Sequence, residues 1–170
     1  EIKQMKQSNS NLTVVGVSGC SCSGKTTLSE NLKSKLADMG YKVHLIGQDQ
    51  YYLPDSQIPK DSVTGFDNWD TPEAINMEKF YNAISHFIDN FEQSEPVKTV
   101  LIVEGFLYFH DEKFLKLIDN LIFIFSDFNV LLERRNSREG YETIEGFWKD
   151  PEHYFELIVY PSYLKFYKNI

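Results

Sequence analysis

Short apolar runs alternate with helix-like stripes along the chain. Four runs are rich in β-branched residues and mostly lack polar alternation, as in strands that are buried on both faces of a parallel sheet. They lie at Leu12–Val17, Val43–Ile46, Val97–Val103 and Leu121–Phe125. Between the second and third runs, residues Met77 to Phe91 carry apolar side chains at helical spacing. Thr71 and Pro72 precede this stripe and predict an N-cap followed by a first-turn proline.

Strands that alternate with helices predict a doubly wound α/β fold, in which ligands bind at the carboxyl ends of the strands. We expect one domain over residues 12–170, after a disordered lead-in at residues 1–11. The long irregular stretch from Tyr51 to Asp70 is polar and contains prolines. Loops of this length in compact domains are functional or disordered.

Composition narrows the class of partner. Of 170 residues, 42% are hydrophobic and 15% aromatic, and the formal net charge is −8. An acidic chain argues against a nucleic-acid-binding protein and favours a small-molecule ligand. No apolar stretch is long enough to span a membrane. Cys20 and Cys22 are too close for an ordinary disulfide, which predicts reduced thiols and a cytoplasmic protein.

The most specific motif follows the first predicted strand. It fits G-x-x-x-x-G-K-[ST] and consists of Gly19, Cys20, Ser21, Cys22, Ser23, Gly24, Lys25 and Thr26. A strand before it and a helix after it are the context of a phosphate-binding P-loop. Backbone N–H groups and the helix N-terminus would hold phosphates, Lys25 would reach the β- and γ-phosphates, and Thr26 would bind Mg²⁺. The alternative is an ordinary Gly/Ser turn with an exposed lysine.

A P-loop alone does not distinguish a switch GTPase, a motor ATPase and a metabolite kinase, so further motifs must decide among these classes. The chain contains neither the N-K-x-D nor the D-x-x-G motif of switch GTPases. Asp49 and Glu104 each follow a predicted strand, so both should face the P-loop. One carboxylate would orient or deprotonate the attacking hydroxyl while the other helps to hold Mg²⁺. The alternative for both is a solvated carboxylate at a strand end.

Two further groups of residues could bind a substrate. Arg134, Arg135 and Arg138 lie on a predicted lid helix over residues 130–138, with Arg134 and Arg138 on one face. They would neutralise phosphate charge, unless they only form a solvated helix face. Trp69 and Asp70 pair an aromatic plane with a carboxylate, which suits the base and ribose of a nucleoside. The alternative is a core tryptophan beside a helix-start acid.

The chain resembles the nicotinamide riboside kinases, especially their fungal members, which are related to uridine kinases. The resemblance rests on Ser18–Thr27, Gln48–Pro54, Asn68–Ala74, Val103–Phe106, Arg134–Tyr141 and Phe147–Pro151. It implies that Asp49 is the proton acceptor and a Mg²⁺-linked acid, and that Glu104 is the strand-end acid. It also implies that Thr27, Arg134 and Arg138 contact ATP. Tyr52, Trp69, Asp70, Arg135 and Tyr141 would contact the riboside, with Trp69 and Tyr141 against its base.

The implied activity is ATP- and Mg²⁺-dependent phosphorylation of the 5′-hydroxyl of nicotinamide riboside, with nicotinic acid riboside as a second substrate. The first alternative is a uridine or cytidine kinase or another P-loop metabolite kinase. The second is a catalytically inactive nucleotide-binding regulatory protein. Such kinases continue beyond the segment Tyr160–Leu164 into another strand and a closing helix, so we expect the domain to lack these last elements.

Overall fold

The computed structural model describes residues 11–92 and 97–167, and its centre is a four-stranded sheet. The strands are β1 (Leu12–Gly19), β2 (Lys42–Gly47), β3 (Thr99–Glu104) and β4 (Asn120–Ile124). They are all parallel, in the order β2-β3-β1-β4. This topology confirms the predicted doubly wound α/β class. β3 begins two residues later than predicted, because Val97 forms a bend before the strand.

In the part of the chain that the structure describes, five α-helices accompany the sheet. They are α1 (Lys25–Asp38), α2 (Met77–Asp89), α3 (Glu112–Leu115), α4 (Phe128–Asn136) and α5 (Tyr160–Tyr167). Short 3₁₀ turns cover Gln48–Tyr51, Asp55–Gln57 and Pro72–Ala74, and a π-helical turn over Phe155–Val159 leads into α5. A small antiparallel hairpin pairs β5 (Tyr141–Glu142) with β6 (Phe147–Trp148). The sequence pattern did not predict this hairpin, because its strands are only two residues long.

The two faces of the sheet are covered by different helices. On one face, Val17 and Ile102 pack against Leu28 and Leu32 of α1. On the other face, residues of β1 and β3 pack against Phe80 of α2 and against side chains of α3 and α5. Every residue of β3 is buried, since this strand is central and covered on both sides. Helices on both faces leave the carboxyl ends of the strands as the open edge of the sheet.

The start of α2 differs from the prediction. Its N-cap is Asn76, whose Oδ1 accepts a hydrogen bond of 3.0 Å from the backbone N–H of Lys79. Thr71 and Pro72 instead begin the separate 3₁₀ turn, with the proline in its first position. The prediction that Thr71 and Pro72 start α2 is therefore wrong, because they start the 3₁₀ turn before it. The apolar stripe of α2 is core, as predicted, with Phe80 and Ile84 buried.

Gln48 joins the ends of β2 and β3. Its side chain is fully buried, and Oε1 accepts hydrogen bonds from the backbone N–H groups of Phe106 at 3.0 Å and Leu107 at 2.9 Å. Gly105 is packed so closely against Gln48 that a Cβ at this position would lie 2.7 Å from the glutamine Cβ. These two hydrogen bonds, which we call the Gln48 clamp, fix the loop after β3 against the turn that carries Asp49. It thereby places Asp49 and Glu104 side by side.

The predicted lead-in at residues 1–10 lies outside the described residues. Asn11 is described, and its carbonyl accepts a hydrogen bond of 2.7 Å from the N–H of Thr99. In the described part of the chain, no helix combines the length and the apolar character that a bilayer crossing requires.

Gln48→Met should lower the free energy of unfolding by about 2–5 kcal/mol, because it leaves two buried N–H groups without an acceptor while preserving side-chain volume. Urea unfolding of the variant and the wild type measures the difference. Gln57→Met, on an exposed turn, is the control and should change stability by less than about 0.5 kcal/mol. Equal stability of Gln48→Met and the wild type would show that the clamp is dispensable.

Candidate active site

A cleft of about 1090 Å³ opens at the carboxyl ends of the strands. The P-loop and the start of α1 form its floor, the loop after β2 forms one wall, and α4 with the hairpin forms the other. Its lining includes Ser21–Thr27, Asp49, Tyr52, Trp69, Asp70, Glu104, Phe106, Arg134, Arg135, Arg138, Tyr141, Thr143, Ile144 and Trp148. Of the predicted site residues, only Gly19 and Cys20 are absent from this lining. The other predicted residues therefore converge on one cleft.

The P-loop connects β1 to α1 in a compact turn. Gly19 has φ +149°, and a Cβ there would collide with the carbonyl oxygen of Ile124, so the turn requires glycine. Cys22 adopts φ 65°, an uncommon conformation for a residue with a side chain. The Lys25 ammonium donates a hydrogen bond of 2.9 Å to the carbonyl oxygen of Cys20. Lys25 thus lies folded over the loop, with its ammonium group against the loop backbone.

Cys20 and Cys22 are free and buried. Burial raises the pKa of the Cys20 thiol to about 12, against the lowering effect of Lys25. The thiol therefore stays protonated at physiological pH and is a poor nucleophile. The two cysteines pack under the loop as apolar side chains.

Asp49 and Glu104 form an acid pair beside Lys25. Asp49 is reached by solvent through the cleft, whereas Glu104 is buried. Desolvation by the surrounding protein raises the pKa of Asp49, against the attraction of Lys25. Burial and the neighbouring Asp49 charge raise the pKa of Glu104 to about 7, while Lys25 and a hydrogen bond with Thr26 oppose the shift. The pair therefore has a deficit of positive charge that a cation would offset.

The far end of the cleft is aromatic. The Trp69 ring lies 5.5 Å from the Tyr52 ring, edge to face, and 5.8 Å from the ring of Trp148 on β6. Trp69 is only 8% exposed and also belongs to a hydrophobic cluster under the loop after β2. Its backbone N–H donates to the hydroxyl of Tyr154 at 3.1 Å. Trp69 is therefore both a core anchor and a wall of the cleft.

Arg135 is the central residue of a buried network of hydrogen bonds and ion pairs. Two of its nitrogens donate to the carboxylate of Asp150, with Nη2 at 2.9 Å from Oδ1, and Nη1 donates to Ser21 Oγ at 2.8 Å. The Asp70 carboxylate lies 3.9 Å from Nη2, and the Tyr141 ring packs against the guanidinium with its centroid 4.7 Å from Cζ. One side chain thus joins the P-loop, the loop after β2 and the hairpin region.

Arg134 and Arg138 also reach the cleft, but not from one helical face. α4 ends at Asn136, so the prediction that a single helix carries both residues is wrong. Arg134 donates to the carbonyl of Cys22 at 3.2 Å, beside the P-loop. Arg138 follows the helix and donates to the hydroxyl of Tyr141 at 3.1 Å. Both side chains remain largely exposed and available to a ligand.

Sequence reasoning assigned no role to three residues of the site. Asp150 anchors Arg135 and accepts a hydrogen bond of 2.9 Å from Trp148 Nε1. Trp148 and Phe106 line the cleft, and the Phe106 ring centroid lies 5.9 Å from Lys25 Nζ. Spacing could not find them, because they follow no periodic pattern. The available signals were the segments Val103–Phe106 and Phe147–Pro151, which carry the family resemblance.

The chain is similar in sequence to known proteins. The sequence model of the phosphoribulokinase / uridine kinase family matches residues 14–143. The nicotinamide riboside kinase of Saccharomyces cerevisiae is 31% identical over 88% of this chain and 75% of its own length. Nicotinamide riboside kinase 1 of Homo sapiens is 32% identical over 90% of this chain and 75% of its own length.

The structure of a possible uridine kinase from Bacillus stearothermophilus shares the fold. Its TM-score is 0.56 and its sequence identity 17%, over 93% of this chain and 87% of that one. This likeness concerns the arrangement of the backbone alone.

Asp70→Asn should become more stable relative to the wild type as pH rises. Burial raises the pKa of Asp70 from 3.8 to about 6, although Arg135 opposes the shift. The favourable contribution of the protonated carboxyl is therefore present below pH 3.8 and is lost as pH rises through about 6. Between pH 4 and 7 the difference in unfolding free energy should change by about 2–3 kcal/mol. Urea unfolding of both proteins across this range measures it, and a constant difference would contradict the shifted pKa.

Proposed function

We propose that this chain, which belongs to the phosphoribulokinase / uridine kinase family, transfers the γ-phosphate of ATP to the 5′-hydroxyl of nicotinamide riboside. The observation that carries the proposal is the continuity of the cleft. The P-loop with Lys25 and Thr26 lines one end, and the aromatic residues with Asp70 line the other. Asp49 lies on the lining that both ends share, where a phosphate donor and a hydroxyl acceptor would meet.

The P-loop end suits the triphosphate of ATP. Backbone N–H groups of residues 19–24 and the N-terminus of α1 favour anionic oxygens. Lys25 would leave the carbonyl of Cys20 and pair with the β- and γ-phosphates. Arg134 and Arg138 reach the same end from the opposite wall, and their charges would offset the charge that the phosphoryl group spreads during transfer. Thr27, which also lines the cleft, would contact phosphate from the first turn of α1.

The aromatic end suits a riboside with a cationic base. Nicotinamide riboside carries a pyridinium ring, and an indole face attracts a cation through its quadrupole as well as by stacking. Trp69 and Tyr52 provide this surface, and Tyr141 lies across the cleft from them. Asp70 would accept hydrogen bonds from the ribose hydroxyls, and Arg135 holds Asp70 in place. The negative charge of the protein favours the same cation.

The acid pair suits a Mg²⁺ ion that is bound mainly by ATP. Among the described residues, no three imidazole, thiol or carboxylate side chains cluster at metal-ligand spacing. The Thr26 hydroxyl with Asp49 and Glu104 is therefore an incomplete donor set, as expected for Mg²⁺ that keeps phosphate and water ligands. Bound there, the ion would neutralise charge on the phosphates. Asp49, which is open to solvent, would accept the proton of the 5′-hydroxyl, and the buried Glu104 would act beside the metal.

Uridine or cytidine phosphorylation is the second candidate, since the family includes uridine kinases. A pyrimidine needs donors and acceptors at its edge, whereas the residues at this end of the cleft are mainly aromatic. An inactive nucleotide-binding protein would not need an acid pair beside the P-loop lysine. Nicotinic acid riboside shares the ribose and the pyridinium ring, so the same residues would accept it. The free cysteines Cys20 and Cys22 are compatible with a cytoplasmic location.

Asp49→Asn should lower kcat by about 100-fold or more, because the amide neither accepts the proton nor carries the charge beside Mg²⁺. The KM for ATP should change little, since Lys25 and the P-loop remain. ADP release with nicotinamide riboside measures both constants. The paired variant is Glu104→Gln, which has the same loss of charge at the neighbouring site. If Glu104→Gln lost most of its kcat while Asp49→Asn lost little, the roles assigned to these two acids would have to be exchanged.

Trp69→Leu should raise the KM for nicotinamide riboside by about 2- to 30-fold, the range that corresponds to a lost cation–π contact of about 0.5–2 kcal/mol. Leucine keeps much of the apolar contact, so the buried cluster should survive. Trp69→Phe, which retains an aromatic face, is the control and should recover part of the affinity. Measured kcat/KM values for nicotinamide riboside and uridine test whether Trp69 favours the cationic base. If the ratio of kcat/KM for nicotinamide riboside to kcat/KM for uridine were unchanged in Trp69→Leu, Trp69 would serve only to pack the core.

A further inference from the structure

The loop after β2 and the hairpin contact each other at the rim of the cleft through a reciprocal set of hydrogen bonds. Thr143 Oγ1 donates to Asp55 Oδ2 at 2.6 Å, and the Glu145 N–H donates to Asp55 Oδ1 at 3.3 Å. In return, the N–H and Oγ of Ser56 donate to the Glu145 carboxylate at 2.7 and 3.2 Å. Each segment thus contributes one carboxylate that binds donors of the other.

The orientation of the Thr143 hydroxyl is fixed by its surroundings. Its oxygen accepts a hydrogen bond of 3.0 Å from the N–H of Gly146, within the hairpin turn. The hydroxyl proton is therefore directed at Asp55, which accepts but cannot donate when it is ionised. Thr143 and Ile144 also line the cleft. The contact therefore lies at the edge of the cleft lining.

The two segments joined in this way carry opposite walls of the aromatic end. The loop after β2 bears Tyr52 and Trp69, and the hairpin bears Tyr141 and Trp148. Deeper in the molecule, the walls meet at the pair formed by Trp69 and Trp148, whose centroids are 5.8 Å apart. Three of the four hydrogen bonds at the rim are exposed and the bond from Thr143 to Asp55 is half buried, whereas Trp148 is half-buried and Trp69 is buried in the deeper contact. Exposed hydrogen bonds compete with water and are weak individually.

We propose that Asp55, Ser56, Thr143 and Glu145 form a clasp that positions the hairpin over the acceptor site. The clasp sets the distance between the two aromatic walls, and it thereby determines how tightly the riboside is held and how well water is excluded during phosphate transfer. These four are positioning residues, since they act through the walls that they join. The effect on riboside affinity rests on the proposed function, whereas the closure itself does not.

Asp55→Ala, Glu145→Ala and the double variant test the clasp. Each single change should raise the KM for nicotinamide riboside about 3- to 10-fold, the loss expected when charge-assisted hydrogen bonds that hold the closed state are removed, with an unchanged KM for ATP. The double variant should be little worse than either single one, because both break the same closure. ATP hydrolysis without any riboside should rise, since water would reach the phosphate. Fully additive effects on KM would contradict a shared closure.

Hydrogen exchange at two backbone amides gives a readout that needs no substrate. The Ser56 and Glu145 N–H groups are both donors in the clasp, so each should exchange faster in Asp55→Ala than in the wild type. Lys60→Ala is the matched control, because it breaks the exposed ion pair of 2.7 Å with Asp67 in the same loop without touching the hairpin. It should leave both amides and the KM values unchanged.

The two readouts separate failure of the clasp from failure of the proposed function. If no nicotinamide riboside is turned over by the wild type, the proposed substrate is wrong, and the exchange rates still judge the clasp. If a folded Asp55→Ala protein retains wild-type exchange at Ser56 and Glu145, the clasp does not exist as a unit. Accelerated exchange with unchanged riboside KM and unchanged riboside-free hydrolysis would equally overturn its positioning role.

Discussion

The buried guanidinium of Arg135 links the three parts of the molecule that surround the cleft. Its donors are divided between Asp150 after the hairpin and Ser21 in the P-loop, and the Asp70 carboxylate of the loop after β2 lies 3.9 Å from Nη2. A buried cation is costly unless its hydrogen bonds are satisfied, and here several N–H groups have acceptors. The planar fork of arginine holds these acceptors in one geometry. Lysine, with a single nitrogen, could not join them in this way.

This network explains why two acids of the site have different roles despite the same chemistry. Asp150 binds the guanidinium through both oxygens, which commits it to structure. Asp70 lies farther from the same group, and burial leaves its pKa raised. It therefore retains the capacity to accept hydrogen bonds from a ligand. Asp70, the acid with the longer ion pair to Arg135, is the one that lines the cleft. This is typical of binding sites, where charged groups lack a full set of hydrogen-bond partners until a ligand binds.

The opposite end of the cleft follows the same principle. Asp49 and Glu104 lie together because Gln48 clamps the segments that follow β2 and β3, and their proximity helps to raise the pKa of Glu104 to about 7. Two neighbouring acids with one lysine favour an added cation. The core thus maintains a charge imbalance at the acid pair, which an added cation would relieve.

The sequence by itself determined the sheet class, the P-loop and the convergence of Lys25, Asp49, Glu104, Trp69 and Asp70, because these depend on local patterns and on the rule that parallel strands present their carboxyl ends together. It did not place the N-cap of α2, the end of α4, the hairpin or the role of Asp150. The N-cap of α2, the end of α4 and the two-residue strands of the hairpin are local features, but they are too short for a periodic pattern to reveal. The role of Asp150 depends on a network that joins residues far apart in the chain, such as Arg135 and Ser21. Only the tertiary structure decided this network, since the satisfaction of a buried charge depends on which distant groups the fold brings to it.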